Sequence, residues 1–272
     1  MLPGCIFAAV VAVAPPAPEG CRYVSPRFLE CARAFAALEG AEERWSVHLP
    51  EGFAPSSAQA WPVILLLHGA GRDHRTLWDH SATRAALERS RSVIVMPNGR
   101  GSWWLGRYAA YPLELLDWLS PRLGLSGDAR RRAVAGWSMG GYGSVRLIQR
   151  HPDRFAAWGG MLALLDFPNP AYPPEHNHAV PAVFGPPEQW QGHNPLAAAE
   201  TLRGQALFFV TGSEAFDRRM NRAFHRRLTR LGIPHEYSEV PGGHTFEVVA
   251  AALPQMLEFL DRQIAKDLPE SP

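Results

Sequence analysis

From Trp45 onward, short and continuous apolar runs alternate with longer stretches whose apolar positions recur at helical spacing. Unbroken apolar runs are what strands covered on both faces require. They predict strands over 44–49, 63–68, 92–96, 132–137, 156–161, 206–211 and 235–240. Between them the spacing predicts helices over 83–89, 112–123, 139–150, 218–231 and 245–265. The last carries Val248, Val249, Leu253, Met256, Leu257 and Leu260 on one face, with a kink or restart expected at Pro254. Strand, loop and helix in repetition give a mostly parallel central sheet flanked by helices, an α/β fold.

One stretch breaks the rhythm. Over 164–195, Pro168, Pro170, Pro173, Pro174, Pro181, Pro186, Pro187 and Pro195 forbid a long regular helix, so a loop-rich insertion is expected there. Following a strand, it either covers a site at the sheet edge or packs on the surface. The domain reading is an N-terminal segment over 1–43, one catalytic domain over 44–265 and a tail over 266–272.

Composition narrows the partners. Hydrophobic residues are 46% and charged residues 19% of the chain, enough for a substantial core. Formal net charge is +1 with the two signs interspersed, which gives no electrostatic reason for a nucleic-acid partner. The apolar run over 6–14 ends in Ala12-Val13-Ala14 and is too short to span a membrane, so no stable span is expected. It has the form of a signal-peptide core within 1–14, although no Lys or Arg precedes it. If Ala14 is the cleavage point, Cys5 departs and Cys21 and Cys31 remain as an even pair, suited to a secreted or periplasmic protein; otherwise the chain is cytoplasmic. No Cys/His cluster suggests a metal site, and the chemistry below needs no cofactor.

The candidate chemistry begins at Gly136-Trp137-Ser138-Met139-Gly140, between an apolar strand and a helical pattern. A nucleophilic serine needs this strand-turn-helix context, with glycines on both sides so that strand and helix can approach. A serine hydroxyl reacts poorly unless an imidazole takes its proton. Of the 11 histidines, His244 is the best placed, after a predicted strand, in the turn Pro241-Gly242-Gly243 and before the final helix. His151 ends a helix, and His176, His178 and His193 lie in the Pro-rich insertion, where solvated roles are expected. The oxyanion of acyl transfer needs two fixed N–H donors. Met139, after the serine, is one candidate, and Ala70, in the turn His68-Gly69-Ala70-Gly71 that ends an early strand, is the other.

These residues resemble the esterase D and tributyrin-esterase branch of the α/β-hydrolase fold, to which feruloyl and acetyl esterases and mycolyltransferases are related. The resemblance covers about 44–262 and rests on Trp45-Ser46-Val47-His48-Leu49-Pro50, Leu66-Leu67-His68-Gly69-Ala70-Gly71 and Met96-Pro97-Asn98-Gly99 with Ser102-Trp103-Trp104. Its most specific part is 135–143, AGWSMGGYG, with His151-Pro152-Asp153-Arg154-Phe155; Asn221 and Pro241-Gly242-Gly243-His244-Thr245 follow in order. It implies catalytic roles for Ser138 and His244 and an oxyanion hole from Ala70 and Met139. Such enzymes usually place the catalytic Asp three residues past the glycine of Thr211-Gly212, and here that position is Ala215. Glu214 and Asp217 flank the gap. Asp217 is favoured because it enters a helix, where a carboxylate is stabilised, while glutamate serves as the acid in some relatives.

The expected function is hydrolysis of a small carboxylic ester through an acyl-enzyme on Ser138. An acyltransferase using the same machinery, and a non-catalytic binding protein on the same fold, are the alternatives. Trp103, Trp104, Trp137, Tyr142 and Trp190 are candidate walls of the substrate pocket, and oligomeric state is left open.

Overall fold

All of Val63–Leu67 is buried, and its side chains divide by parity: Val63, Leu65 and Leu67 enter one apolar cluster, Ile64 and Leu66 another. A strand whose two faces both meet helices has no polar face to show, which is why the run is unbroken. The computed structural model describes residues 15–57, 59–171 and 180–266. The proposed signal segment 1–14 with Cys5, the histidines His176 and His178, and tail residues 267–272 lie outside them.

The strands are β1 (Cys21–Ser25), β2 (Phe28–Ala34), β3 (Glu42–His48), β4 (Val63–Leu67), β5 (Val93–Pro97), β6 (Arg132–Trp137), β7 (Ala157–Met161), β8 (Ala206–Gly212) and β9 (Glu236–Val240). The helices are α1 (Thr76–Asp79), α2 (Ser81–Glu88), α3 (Tyr111–Leu123), α4 (Met139–Arg150), α5 (Trp190–His193), α6 (Arg218–Arg230) and α7 (Phe246–Ile264). They build a nine-stranded sheet in the order β1-β2-β3-β5-β4-β6-β7-β8-β9. From β5 to β9 every neighbouring pair is parallel, whereas β1, β2, β3 and β5 pair antiparallel. Helices α3, α4 and α6 pack on one face, and α1, α2 and α7 on the other. This is the α/β-hydrolase fold that the residues led us to expect.

The chain steps from β4 to β5 in one direction, then crosses back over β4 to β6 and continues the other way. Open α/β sheets bind ligands outside the C-terminal ends of their strands at such a reversal. Ser138 follows β6 and Gly69-Ala70 follows β4, so the two turns stand side by side at this point.

Three expectations are corrected. Strands β1 and β2 were not foreseen, and the boundary drawn at residue 44 cuts through one sheet, because β2 pairs with β3 along its whole length. Helix α1 was also missed; with four residues it is too short for a periodicity to show. Finally, α7 runs through Pro254 as one element. The N–H lost there leaves the rest of the ladder intact, and burial of Val249, Leu253, Met256 and Leu260 holds both halves against the sheet. Among its described residues the Pro-rich stretch contains short 3-10 turns and α5, and its Phe167 and Phe184 pack on Leu105, Tyr142 and Met220.

Candidate active site

Ser138 stands between β6 and α4 with φ 51° and ψ −119°, a conformation that costs about 1–3 kcal/mol and persists only where the surroundings enforce it. Two contacts enforce it here. The Ser138 amide donates to Met161 O at 3.0 Å, and Tyr142 N donates to Ser138 O at 2.9 Å. Glycine is required on either side, since a Cβ at Gly136 would strike the Gly140 carbonyl and one at Gly140 would strike the Leu67 carbonyl. The turn therefore exists because β6 and α4 approach at backbone distance.

With its own amide engaged by Met161, Ser138 leaves the next amide, Met139, as the first of α4 without an intrahelical acceptor. Ala70 lines the same cavity as Ser138 from the other side. The turn that carries it is held by His68, whose buried ring donates from Nδ1 to Gly69 O at 2.8 Å and accepts at Nε2 from Gly99 N at 2.8 Å. Those partners fix a neutral tautomer, and burial holds the ring below the usual imidazole range.

His244 lies past β9. Its Nε2 is 2.9 Å from Ser138 Oγ and its Nδ1 is 2.6 Å from Asp217 Oδ1. Asp217 is fully buried; its second oxygen accepts from Thr211 Oγ1 at 2.6 Å and Asn221 Nδ2 at 2.9 Å. Asn221 also donates to Ala163 O, tying the carboxylate to the end of β7. Asp217 occupies the N-cap position of α6, yet its side chain makes no capping bond and turns instead to the imidazole. Glu214 is exposed, and only its amide is engaged, donating to Gly242 O at 2.9 Å. Ala215 is buried in the loop between them. The ring of Phe216 stacks on His244 at 4.3 Å between centroids, covering one face of the imidazole.

The cavity at Ser138 is about 150 Å³, lined by Gly69, Ala70, Arg72, Trp137, Leu162, His244 and the start of α7, Thr245, Phe246 and Val249. Of the five aromatic candidates, Trp137 lines it. Trp103 is half-buried, stacked on Phe167 and edge-on to Tyr142 and Phe184. Trp104 is buried against Gly99 and Gly143; Tyr142 is buried with its hydroxyl donating to His193 O; Trp190 donates to Gly185 O within the Pro-rich stretch. These four are not among the residues that line the cavity. Leu162, Phe246, Val249 and Arg72 were missed. Leu162 and Phe246 had a signal, since each follows directly on a strand end or the candidate histidine at the working edge of the sheet. Among the described residues, no group of three or more His, Cys, Asp or Glu is placed to hold a metal ion, and no helix is long and apolar enough to cross a membrane.

A hydroxyl, an imidazole and a buried carboxylate in one hydrogen-bonded row, facing a small cavity, can deprotonate the hydroxyl for attack on a carbonyl. The family model described as "Putative esterase" matches residues 37–260. The chain belongs to this esterase family. A curated relative of this esterase-family chain, Esterase Rv1288 of Mycobacterium tuberculosis, is 29% identical over 239 residues, which cover 74% of the chain and 52% of the relative. The chain thus spans about half the length of that protein. Among solved structures, a ferulic acid esterase superposes with a TM-score of 0.69 at 24% identity, covering 87% of this chain and 98% of the other. An S-formylglutathione hydrolase from Staphylococcus aureus superposes with a TM-score of 0.72 at 20% identity, over 86% and 98%. At these identities the superpositions speak for the shared fold.

Proposed function

We propose that this chain is a serine hydrolase that cleaves small carboxylic esters through an acyl-enzyme. The observation that carries the reading is the row Ser138 Oγ, His244 Nε2 and Nδ1, Asp217 Oδ1, with spacings of 2.9 and 2.6 Å, set on the turn at the sheet's reversal point. Ser138 attacks the ester carbonyl while His244 takes its proton. Asp217 accepts from His244 Nδ1, holding the tautomer and balancing the imidazolium. The carbonyl oxygen, now negative, is received by the amides of Met139 and Ala70. Collapse breaks the C–O bond, and His244 passes the proton to the leaving alcohol. Water then repeats the sequence, with His244 as base, to free the acid and restore Ser138. A cavity of about 150 Å³ walled by Trp137, Leu162 and Phe246 fits a short acyl or alcohol group.

The test is turnover of p-nitrophenyl esters from acetyl to long chain, with fluorophosphonate labelling in parallel. The expected result is an optimum at short acyl chains, one label on Ser138, and a loss of about a million-fold in kcat for Ser138→Ala. A folded wild type that neither labels nor exceeds Ser138→Ala on any ester would overturn the reading in favour of a binding protein. Added alcohols that divert the acyl group from water would move it to acyl transfer.

A further inference from the structure

The cavity beside Ser138 has both polar and apolar walls, and its one arginine is Arg72; among the described residues no aspartate or glutamate lines it. Arg72 sits on the turn that carries Ala70, its amide donating to Gly69 O at 3.2 Å. Its guanidinium carbon lies 4.9 Å from the centre of the Phe246 ring, across the mouth. That contact shields one face of the cation and sets its direction. Several arginines of this chain are neutralised by carboxylates: Arg75 pairs with Glu30 and Asp79, Arg100 with Glu43, and Arg218 and Arg222 with Glu239. Arg72 forms no such ion pair among the described residues.

Two carboxylates lie near it. Asp73 is committed to the amides of Arg75 and Thr76 and to the Thr76 hydroxyl. Glu247, on the first turn of α7, is exposed and engaged with Thr245, and Arg72 is the weakest of the charges acting on it. A planar guanidinium with no ion pair among the described residues, beside a small cavity, is matched by a carboxylate, which it can take through two parallel N–H bonds. In a cavity this small, that carboxylate must lie only a few bonds from the reacting carbonyl.

Resting on the ester-cleaving reading above, we infer that Arg72 is a specificity-determining residue and that the preferred substrate is an ester bearing a second, ionised carboxyl group close to the scissile bond. The charge lies on the acyl side or the alcohol side, and two substrate pairs separate the cases. Monoethyl succinate against ethyl pentanoate places it on the acyl side, and 3-carboxyphenyl acetate against phenyl acetate on the alcohol side. The readout is the ratio of kcat/KM, charged over neutral, which cancels any general loss in a variant. In Arg72→Gln at least one ratio falls about tenfold, a charge-assisted bond discounted for the exposure of the arginine, and in Arg72→Glu it falls further. The same ratio in the wild type falls as salt is raised. Ratios unchanged in both pairs overturn the inference while leaving the esterase reading intact. Calorimetry of monoethyl succinate on Ser138→Ala, with and without Arg72→Gln, reads the site without turnover. Weaker binding in the double variant supports the anion site even if no ester is cleaved, and equal or absent binding in both, with unchanged ratios, removes it.

Discussion

The carboxylate of Asp217, in the parallel part of the sheet, and the ring of His48, at its antiparallel end, are buried in opposite ways. In the parallel part, the buried carboxylate of Asp217 has a donor on each oxygen: His244 on one, Thr211 and Asn221 on the other. At the antiparallel end, Ser46 Oγ and both ring nitrogens of His48 are buried without a hydrogen-bond partner among the described residues. An unpaired buried polar group costs about 1–3 kcal/mol, so His48 gives up stability that Asp217 does not. The antiparallel end is also where the Cys21–Cys31 disulfide joins β1 to β2 at directly opposed positions. The difference teaches where accuracy is needed. The C-terminal ends of parallel strands must deliver Ser138, Asp217 and His244 to within tenths of an ångström, while β1–β3 have only to close the sheet.

Between the two buried groups compared, the larger expected effect therefore lies at Asp217. Asp217→Asn keeps the shape but reverses the hydrogen-bonding sense toward His244 Nδ1, so the imidazole loses the tautomer it needs. The expected result is a fall of about ten-thousand-fold in kcat with KM changed far less. Glu214→Gln, altering an exposed side chain, is expected to stay within about twofold by the same assay. Equal losses in the two variants would erase the distinction between the paired carboxylate and the solvated one.

Legibility in the sequence follows the same division. Strands β4 and β6 and helix α4 were readable to within a residue because each is decided by its own pattern: Val63–Leu67 is apolar throughout, and Met139–Arg150 follows a glycine-flanked serine. Strand β2, FLECARA, mixes Glu30 and Arg33 with Cys31, and its pairing with β3 decides its conformation more than its own pattern does. Within the site, Ser138 and His244 announced themselves by local motifs. Asp217 could be narrowed only to two candidates, since spacing along a loop does not tell which side chain points inward. What separates them is tertiary: Thr211 on β8 and Asn221 one turn along α6 leave a buried place for a carboxylate at 217 and none at 214. The cavity lining was less legible still, because Arg72, Leu162 and Phe246 come from three separate loops and helix starts with no shared period.

At the antiparallel end the expected effects fall on stability and not on catalysis. The disulfide closes a loop with a sequence separation of 10, for which chain entropy gives about 2–3 kcal/mol. Cys21→Ser with Cys31→Ser is expected to lower the unfolding free energy from urea melts by that amount, leaving kcat/KM on a short ester within twofold. A large loss of activity in the folded double variant would mean that this hairpin reaches the site after all, and the comparison would fail.

A smaller and graded effect is expected from His48, at the end of β3. Burial first, and the nearby Arg27 charge second, hold its pKa at about 3, against 6.5 for a free imidazole. Between those values the unfolded chain binds a proton that the folded chain does not, so stability declines as pH falls below 6.5 and this decline ends near pH 3. One such group contributes at most about 1.4 kcal/mol per pH unit. His74, buried and shifted the same way, adds to the slope. Replacing His48 by Leu removes both orphaned nitrogens and the proton linkage together. Urea melts between pH 7 and pH 4 should therefore show a shallower acid limb for His48→Leu than for the wild type, with no loss of stability at pH 7. Parallel limbs would mean that His48 finds a partner, such as an ordered water, that keeps its folded pKa close to the free value. His48 would then be as well satisfied as Asp217, and the contrast between the two ends would rest on the disulfide alone.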